Sequence, residues 1–237
     1  MAGRHRAPPL GLGGPFWYRP PPEERVVLIL PKRELIEKSH EDDPLDFYYH
    51  PITGFGYRHR LTMALTLLGE GPFGRLLEIG YGSGILLPEL GRRAREVHGV
   101  DIHQNPDRVE RMVRAHGATA SLCTGDIYAL PYPEAHFDAV ICLSVLEHLT
   151  DLRRACAEIR RVLTPAGAAV LGFPVRNAIT TAFFRAVGYT AAEIHPSTHR
   201  DILAAARRDF AVERVLRYPA FLPAGVGLYV ACRCRKS

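Results

Sequence analysis

Residues 76–84 read LLEIGYGSG, and this stretch decides the fold. Its apolar start predicts a strand, which leads directly into three glycines at alternate positions, Gly80, Gly82 and Gly84. Glycine at these points predicts a sharp turn whose backbone approaches a ligand closely, because glycine has no side chain and tolerates a left-handed backbone. The dinucleotide pattern G-x-G-x-x-G would require glycine at position 85, which is Ile85. The spacing therefore disfavours a nicotinamide-dependent oxidoreductase.

Outward from this loop, short β-type runs alternate with amphipathic helical runs. The predicted strands are 75–79, 96–102, 118–123, 137–143, 168–173, 212–217 and 227–234, and the predicted helices lie near 83–93, 106–116 and 151–163. Such alternation predicts parallel strands joined by crossover helices. Only a turn-like segment separates the last two strands, which indicates an antiparallel hairpin. We therefore expect an α/β, Rossmann-like, doubly wound seven-stranded sheet, mostly parallel, with a C-terminal antiparallel hairpin and a helical lid.

The rest of the chain divides by composition. Residues 1–25 are rich in proline and glycine and predict a poorly ordered tail. Residues 26–72 predict an N-terminal helical cap, with the clearest helical spacing at 58–68; the apolar run 26–30 fits an edge strand or a hydrophobic plug. Residues 73–237 form the main domain, with a lid insertion at 174–209. An insertion after the fifth strand is expected over the carboxyl ends of the strands, where ligands bind.

Composition limits the functional class. The 237 residues, 47% of them hydrophobic, suffice for one sizeable core with a small cap. The net charge of +5 comes largely from arginine, and dispersed acidic residues favour a solvated surface over a phosphate-binding face. Five cysteines without a CxxC pair indicate reduced, buried thiols. No stretch approaches the roughly 20 apolar residues of a membrane helix, and we expect a cytoplasmic protein.

Three further motifs follow the glycine loop in order. The strand 97–102 ends in Asp101, placed to accept hydrogen bonds from both hydroxyls of a ribose; a helix cap is the alternative role. Gly125-Asp126-Ile127 follows the third strand, where a simple turn aspartate is the alternative. The segment 137–149 reads FDAVICLSVLEHL, and 163–167 reads LTPAG.

Together these segments resemble the class I S-adenosylmethionine-dependent methyltransferases, in the branch with many small-molecule and quinone-type enzymes. The resemblance covers residues 76–173, covers 174–237 only loosely, and does not cover 1–70; Ala166 departs from it where a second glycine is common. It implies S-adenosyl-L-methionine as cofactor and S-adenosyl-L-homocysteine as product. It further implies that the methionine end of the cofactor lies against the glycine loop, at Glu78, Gly80, Tyr81, Gly82 and Gly84. Asp101, with Ile102, would bind the ribose, and Asp126, with Ile127, would bind the adenine. Leu143 and Ser144, at the end of the fourth strand, would lie beside the methionine part.

The expected chemistry is in-line displacement at the sulfonium methyl group, without a metal ion, toward an O, N or C atom of a small acceptor, such as a natural product or a lipid-like molecule. A general base is needed only if the acceptor must lose a proton; the candidates are His148, His195 and His199. The last two, four residues apart, are expected to share a helix face. They also fit a metal pair, but without a third ligand we assign no metal.

The acceptor pocket is expected to involve Tyr48, Tyr49 and Tyr57, which equally fit simple packing of the lid. The N/D-P-P-Y/F motif of enzymes that methylate nucleic-acid amino groups does not follow the fourth strand. A small-molecule acceptor is therefore expected rather than nucleic acid, in a monomer or homodimer. The alternatives are an RNA methyltransferase and a non-catalytic protein that binds S-adenosylmethionine.

Overall fold

The computed structural model describes residues 26–41, 43–103, 105–177, 180–181, 195–222 and 226–236. Seven strands form one sheet in the order β3-β2-β1-β4-β5-β7-β6. Their bounds are β1 (Phe73–Ile79), β2 (Ala94–Asp101), β3 (Ser121–Thr124), β4 (Phe137–Leu143), β5 (Leu163–Pro174), β6 (Ala211–Tyr218) and β7 (Tyr229–Arg235).

The strand carrying the glycine loop lies near the middle of the sheet. β1 pairs in parallel with β2 on one side and with β4 on the other. β7 is antiparallel to both of its neighbours and lies between β5 and β6. The predicted α/β sheet, mostly parallel with antiparallel C-terminal strands, is confirmed.

Helices cover both faces of the sheet. They are α1 (Leu45–Tyr49), α2 (Gly54–Leu68), α3 (Leu87–Leu90), α4 (Pro106–Ala115), α5 (Leu152–Val162) and α6 (His199–Asp209). One hydrophobic cluster joins α2, α3 and α4 to one face, and a second joins α5 and α6 to the other. Within the described part of the chain, no helix has the length and apolar character needed to span a bilayer.

Two helices that lie in the expected cap (26–72) and lid insertion (174–209) pack in the layers that cover the sheet. α2 packs on β5 and β7, and its Leu65 is fully buried. α6 packs beside α5, with Ile202 and Ala206 in the core. Both helices bury an apolar face against the sheet or its neighbours. Residues 178–179 and 182–194 of the expected lid insertion lie outside the described residues.

Other differences from the expectation concern boundaries. The helix expected at 83–93 is reduced to α3, because the glycine loop continues through turns before regular hydrogen bonding begins. Residues 26–30 form no strand; Val26, Leu28 and Leu30 are partly buried against the core, as expected of a plug. α6 begins at His199 behind a capping box formed by Thr198 and Asp201. His195 precedes that cap, so the expectation that His195 and His199 share a helix face is wrong.

Candidate active site

The glycine loop lies at the carboxyl edge of the parallel strands. Gly80, Gly82 and Gly84 have φ values of 76°, 52° and 78°, in the left-handed region that favours glycine. The Gly80 N–H donates to the Val100 carbonyl at 2.8 Å, so the turn starts directly from the pairing of β1 with β2. A Cβ at Gly80 would overlap Val145, and one at Gly84 would overlap Val109. The loop is therefore closely packed at its two ends.

Asp101, at the end of β2, holds the middle of this loop. Its Oδ2 accepts from the Gly82 N–H at 2.8 Å, and its Oδ1 accepts from the His103 N–H at 3.2 Å. The His103 Nε2 lies 2.8 Å from the Gly82 carbonyl oxygen and closes the arrangement. The neighbouring Ile102 is 79% exposed, an apolar side chain displayed beside the carboxylate.

Two motif side chains are buried with unused polar atoms. Glu78 Oε2 and the Tyr81 hydroxyl have no hydrogen-bond partner among the described residues. Burial, with a smaller contribution from Asp101, raises the pKa of Glu78 to about 8. Burial also raises the pKa of Tyr81. The Tyr81 ring packs edge-on against His103, with centroids 4.8 Å apart. It therefore contacts the histidine whose ring nitrogen lies next to the Gly82 carbonyl of the loop.

The third motif forms a short turn. Asp126 caps a single 3-10 turn at Ile127–Ala129, and its Oδ1 accepts from the Tyr128 N–H at 2.9 Å. Ile127 is buried. Asp126 therefore acts as a turn residue, the alternative role named for it from the sequence. Its carboxylate also keeps lone pairs that can accept from a further donor.

At the end of β4, Ser144 meets a cluster of aromatic and cationic side chains. Its φ is 56°, and its Oγ lies 3.2 Å from the Tyr229 hydroxyl and 3.4 Å from Arg60 Nη1. Gly172 makes this contact possible, because a Cβ there would lie 2.7 Å from the Tyr229 hydroxyl. Leu143 packs beside the same glycine.

Arg60 occupies the centre of that cluster. Its guanidinium carbon lies 5.0, 4.4 and 5.8 Å from the ring centroids of Tyr48, Tyr57 and Tyr229. Its Nε and Nη2 donate to the Tyr48 hydroxyl at 3.1 and 2.5 Å. No carboxylate of the described residues forms an ion pair with it. Tyr49 lies elsewhere, since its hydroxyl donates to the Pro31 carbonyl at 2.7 Å.

Sequence reasoning missed Arg60 and Tyr229. Arg60 lies on the buried stripe of α2, at helical spacing from Ala64 and Leu67. The sequence did contain one signal for Arg60, a cationic residue on an otherwise apolar stripe of a helix. Tyr229 opens β7 without any motif, and only the insertion of that strand beside β5 brings it to Ser144.

The histidines divide into one pair and one separate residue. The rings of His148 and His195 are 4.9 Å apart, centroid to centroid, beside the carboxyl group of Glu147. Burial, together with the charges of His148 and Arg176, lowers the pKa of His195 to about 4. Burial raises the pKa of Glu147 to about 8. His199, at the start of α6, is not part of this group.

The N-terminal segment lies over the glycine loop. A Cβ at Gly82 would come within 3.8 Å of Ser39 and 3.9 Å of Asp43. Asp43 is buried and fixes this segment, because its Oδ2 accepts from both the backbone and the hydroxyl of Ser39. Arg108 of α4 donates to Glu37 at 3.0 Å and ties the segment to the domain. The part of the cap before α1 is thus the part that covers the loop.

Comparison with known proteins agrees with this geometry. Residues 77–171 match the family model of the methyltransferase domain. The chain is 37% identical over 100 residues to a demethylmenaquinone methyltransferase of Deinococcus radiodurans, covering 41% of this chain and 42% of that protein. It is 32% identical over 149 residues to the ubiquinone/menaquinone biosynthesis C-methyltransferase UbiE of Cupriavidus necator, covering 56% and 61%. The chain thus spans about half the length of the curated relatives it matches.

Solved structures share the fold. The N-methyltransferase NodS of Bradyrhizobium japonicum, in complex with S-adenosyl-L-homocysteine, has a TM-score of 0.62 at 22% identity, over 84% of this chain and 94% of that one. The geranyl diphosphate C-methyltransferase of Streptomyces coelicolor has a TM-score of 0.64 at 17% identity, over 84% and 86%. Residues 77–171 therefore match a methyltransferase domain, and over this part the chain is similar to class I S-adenosylmethionine-dependent methyltransferases.

Proposed function

We propose that the protein transfers a methyl group from S-adenosylmethionine to an O, N or C atom of a small, quinone-like or lipid-like acceptor. The observation that carries this proposal is the closed arrangement of the glycine loop, in which Asp101 accepts from the Gly82 N–H at 2.8 Å. The names of the quinone-methylating relatives support the acceptor class.

The residues present fit the cofactor. Glu78 Oε2 is a buried acceptor without a partner, suited to the ammonium of the methionine end. The carboxylate of Asp101 has lone pairs beyond those used by two backbone N–H groups, and these can accept from ribose hydroxyls. Ile102 offers an exposed apolar surface beside it for the adenine, with Asp126 and Ile127 on the next strand end.

S-adenosylmethionine supplies a sulfonium-activated methyl group, so the chain's main task is to hold the acceptor in line. Such orientation contributes about 7–11 kcal/mol to lowering a barrier. Tyr48, Tyr57 and Tyr229 would line the acceptor side next to Ser144, and Arg60 would donate to an acceptor oxygen. With its lowered pKa, His195 is neutral at pH 7, so in the absence of a bound metal ion its imidazole is able to accept a proton.

The first test measures cofactor binding. D101N keeps the size of the side chain but loses its charge, and we expect it to weaken S-adenosylmethionine binding by about tenfold or more, since a charged hydrogen bond contributes about 1.5–3 kcal/mol. Calorimetry on the full chain reads the affinity. D107N, on the exposed start of α4, is the matched control and should bind as the wild type does. Equal affinity in D101N would exclude the ribose assignment.

The second test separates catalysis from binding alone. The purified protein is incubated with methyl-labelled S-adenosylmethionine and either a lipid-soluble extract or total RNA. Label in the organic phase is the expected result. Label in RNA would favour the RNA methyltransferase, and tight cofactor binding with no labelled product in either fraction would favour a non-catalytic binding protein.

A further inference from the structure

A three-residue cluster lies just beyond β4. One potential ligand atom each from Glu147, His148 and His195 lies within 4.8 Å of the other two. The first two residues lie in a single turn after β4, and the third precedes the cap of α6. The packing of α6 on α5 therefore brings together ligands from segments far apart in sequence.

One oxygen of the carboxyl group in this cluster lacks a partner. Glu147 is 2% exposed, and its Oε2 forms no hydrogen bond with any residue that the structure describes. Buried polar atoms are nearly always satisfied, by protein groups, by water or by an ion. Each of the two imidazoles has a ring nitrogen within 4.8 Å of a carboxylate oxygen of Glu147, and imidazoles bind metal ions through a ring nitrogen.

We propose that Glu147, His148 and His195 bind a divalent transition-metal ion. Two imidazoles and one carboxylate suit Zn²⁺, Co²⁺, Mn²⁺ or Fe²⁺, whereas Mg²⁺ and Ca²⁺ prefer oxygen ligands. Arg176 donates to the His195 carbonyl at 2.9 Å, so its positive charge lies close to the proposed ion. Within the cluster, the carboxylate of Glu147 is the negative charge that offsets it. Such a site requires ions that form strong bonds to nitrogen.

Three protein ligands leave coordination positions open. A small cavity lined by Glu147, Val175, Thr180 and Ser197 adjoins the cluster. The sequence alone offers His195 and His199 as a metal pair without a third ligand. The structure replaces His199 by His148 and supplies Glu147 as the third. If the proposed methyl transfer holds, the ion would bind an acceptor oxygen or nitrogen and lower its pKa.

The test uses the full chain, freed of any affinity histidines and of metal. Titration with Co²⁺ is followed by visible d–d absorption, and Zn²⁺ binding is measured by competition against the cobalt protein. We expect one saturable Co²⁺ per chain, displaced by Zn²⁺. H148A, H195A and E147Q should each weaken binding by at least about 10- to 100-fold. Loss of a residue that only supports a metal ligand already has an effect of this size, and these variants remove a ligand itself.

H199A is the matched control, since it removes a nearby histidine outside the cluster, and it should bind Co²⁺ as the wild type does. His148 is exposed, so H148A should keep the wild-type circular dichroism and cofactor affinity even if E147Q disturbs the core. The absence of saturable Co²⁺ and Zn²⁺ binding in the wild type, or unchanged binding in folded H148A, would overturn the proposal. Because the readout is metal binding, a failure of the proposed methyl transfer would not affect it.

Discussion

At the scale of single residues, the site contains buried acids whose protonation follows burial. Glu78 and Glu147 both have a pKa of about 8, raised chiefly by the loss of hydration. A carboxyl whose pKa is raised by folding stabilises the fold in its protonated form. That contribution is complete below the unfolded pKa, near 4.5, and is lost as the pH rises through the folded value.

We therefore expect the free energy of unfolding without cofactor to fall between pH 7 and 8.5, above the range in which the histidines titrate. Each carboxyl should account for about 1 kcal/mol of that decrease. E78Q, which cannot ionise, should remove about half of the decrease, and the double variant with E147Q nearly all of it. Urea unfolding at the two pH values measures this. A decrease in E78Q as large as in the wild type would contradict the buried-carboxyl explanation.

At the scale of elements, motif residues could be predicted from sequence and long-range contacts could not. The β1 loop, the carboxylate ending β2 and the bounds of β4 follow from local patterns of apolar residues and glycine. The contacts of Arg60 with Tyr229, and of Glu147 with His195, join segments that no local pattern relates. They depend on how β7 inserts and how α6 packs. The assignments of individual residues to cofactor, acceptor or base stay predictions.

The tight packing of the glycine loop predicts a contrast between two alanine variants. G80A combines a left-handed backbone with a Cβ that overlaps Val145. G69A has a similar φ of 89° at the end of α2 but no atom within 4 Å of the new Cβ. We expect G69A to lose about 1–3 kcal/mol from backbone strain, and G80A to lose more. Chemical unfolding compares the two; equal losses would mean that the loop relaxes freely around Val145.

At the scale of the whole molecule, positive charge is spread among ion pairs. Arg161 pairs with Glu158 at 2.7 Å, and Arg233 and Arg235 both pair with Glu213, at 3.0 and 2.5 Å. Arginines held in this way leave fewer charges for phosphate groups than the net charge of +5 suggests.

We accordingly expect weak RNA binding with a shallow dependence on salt. The logarithm of the binding constant falls with the logarithm of salt concentration in proportion to the phosphates contacted, and specific binders contact about 6–10 of them. Fluorescence anisotropy with a structured RNA, from low to moderate salt, reads this slope. A steep slope that substitution of the exposed Arg153 (R153A) reduces, while the exposed control E34Q leaves it unchanged, would revive the RNA methyltransferase alternative.

The strand order also has a consequence for biosynthesis. β7 comes last along the described chain, yet it completes the hydrogen bonding of both β5 and β6. A nascent polypeptide in which β7 is still inside the ribosome therefore exposes the edge of β5 and has no partner for β6. Such open edges promote intermolecular pairing. Protection by a chaperone would be needed until β7 emerges, and premature stop codons before position 229 should yield aggregates rather than a smaller folded protein.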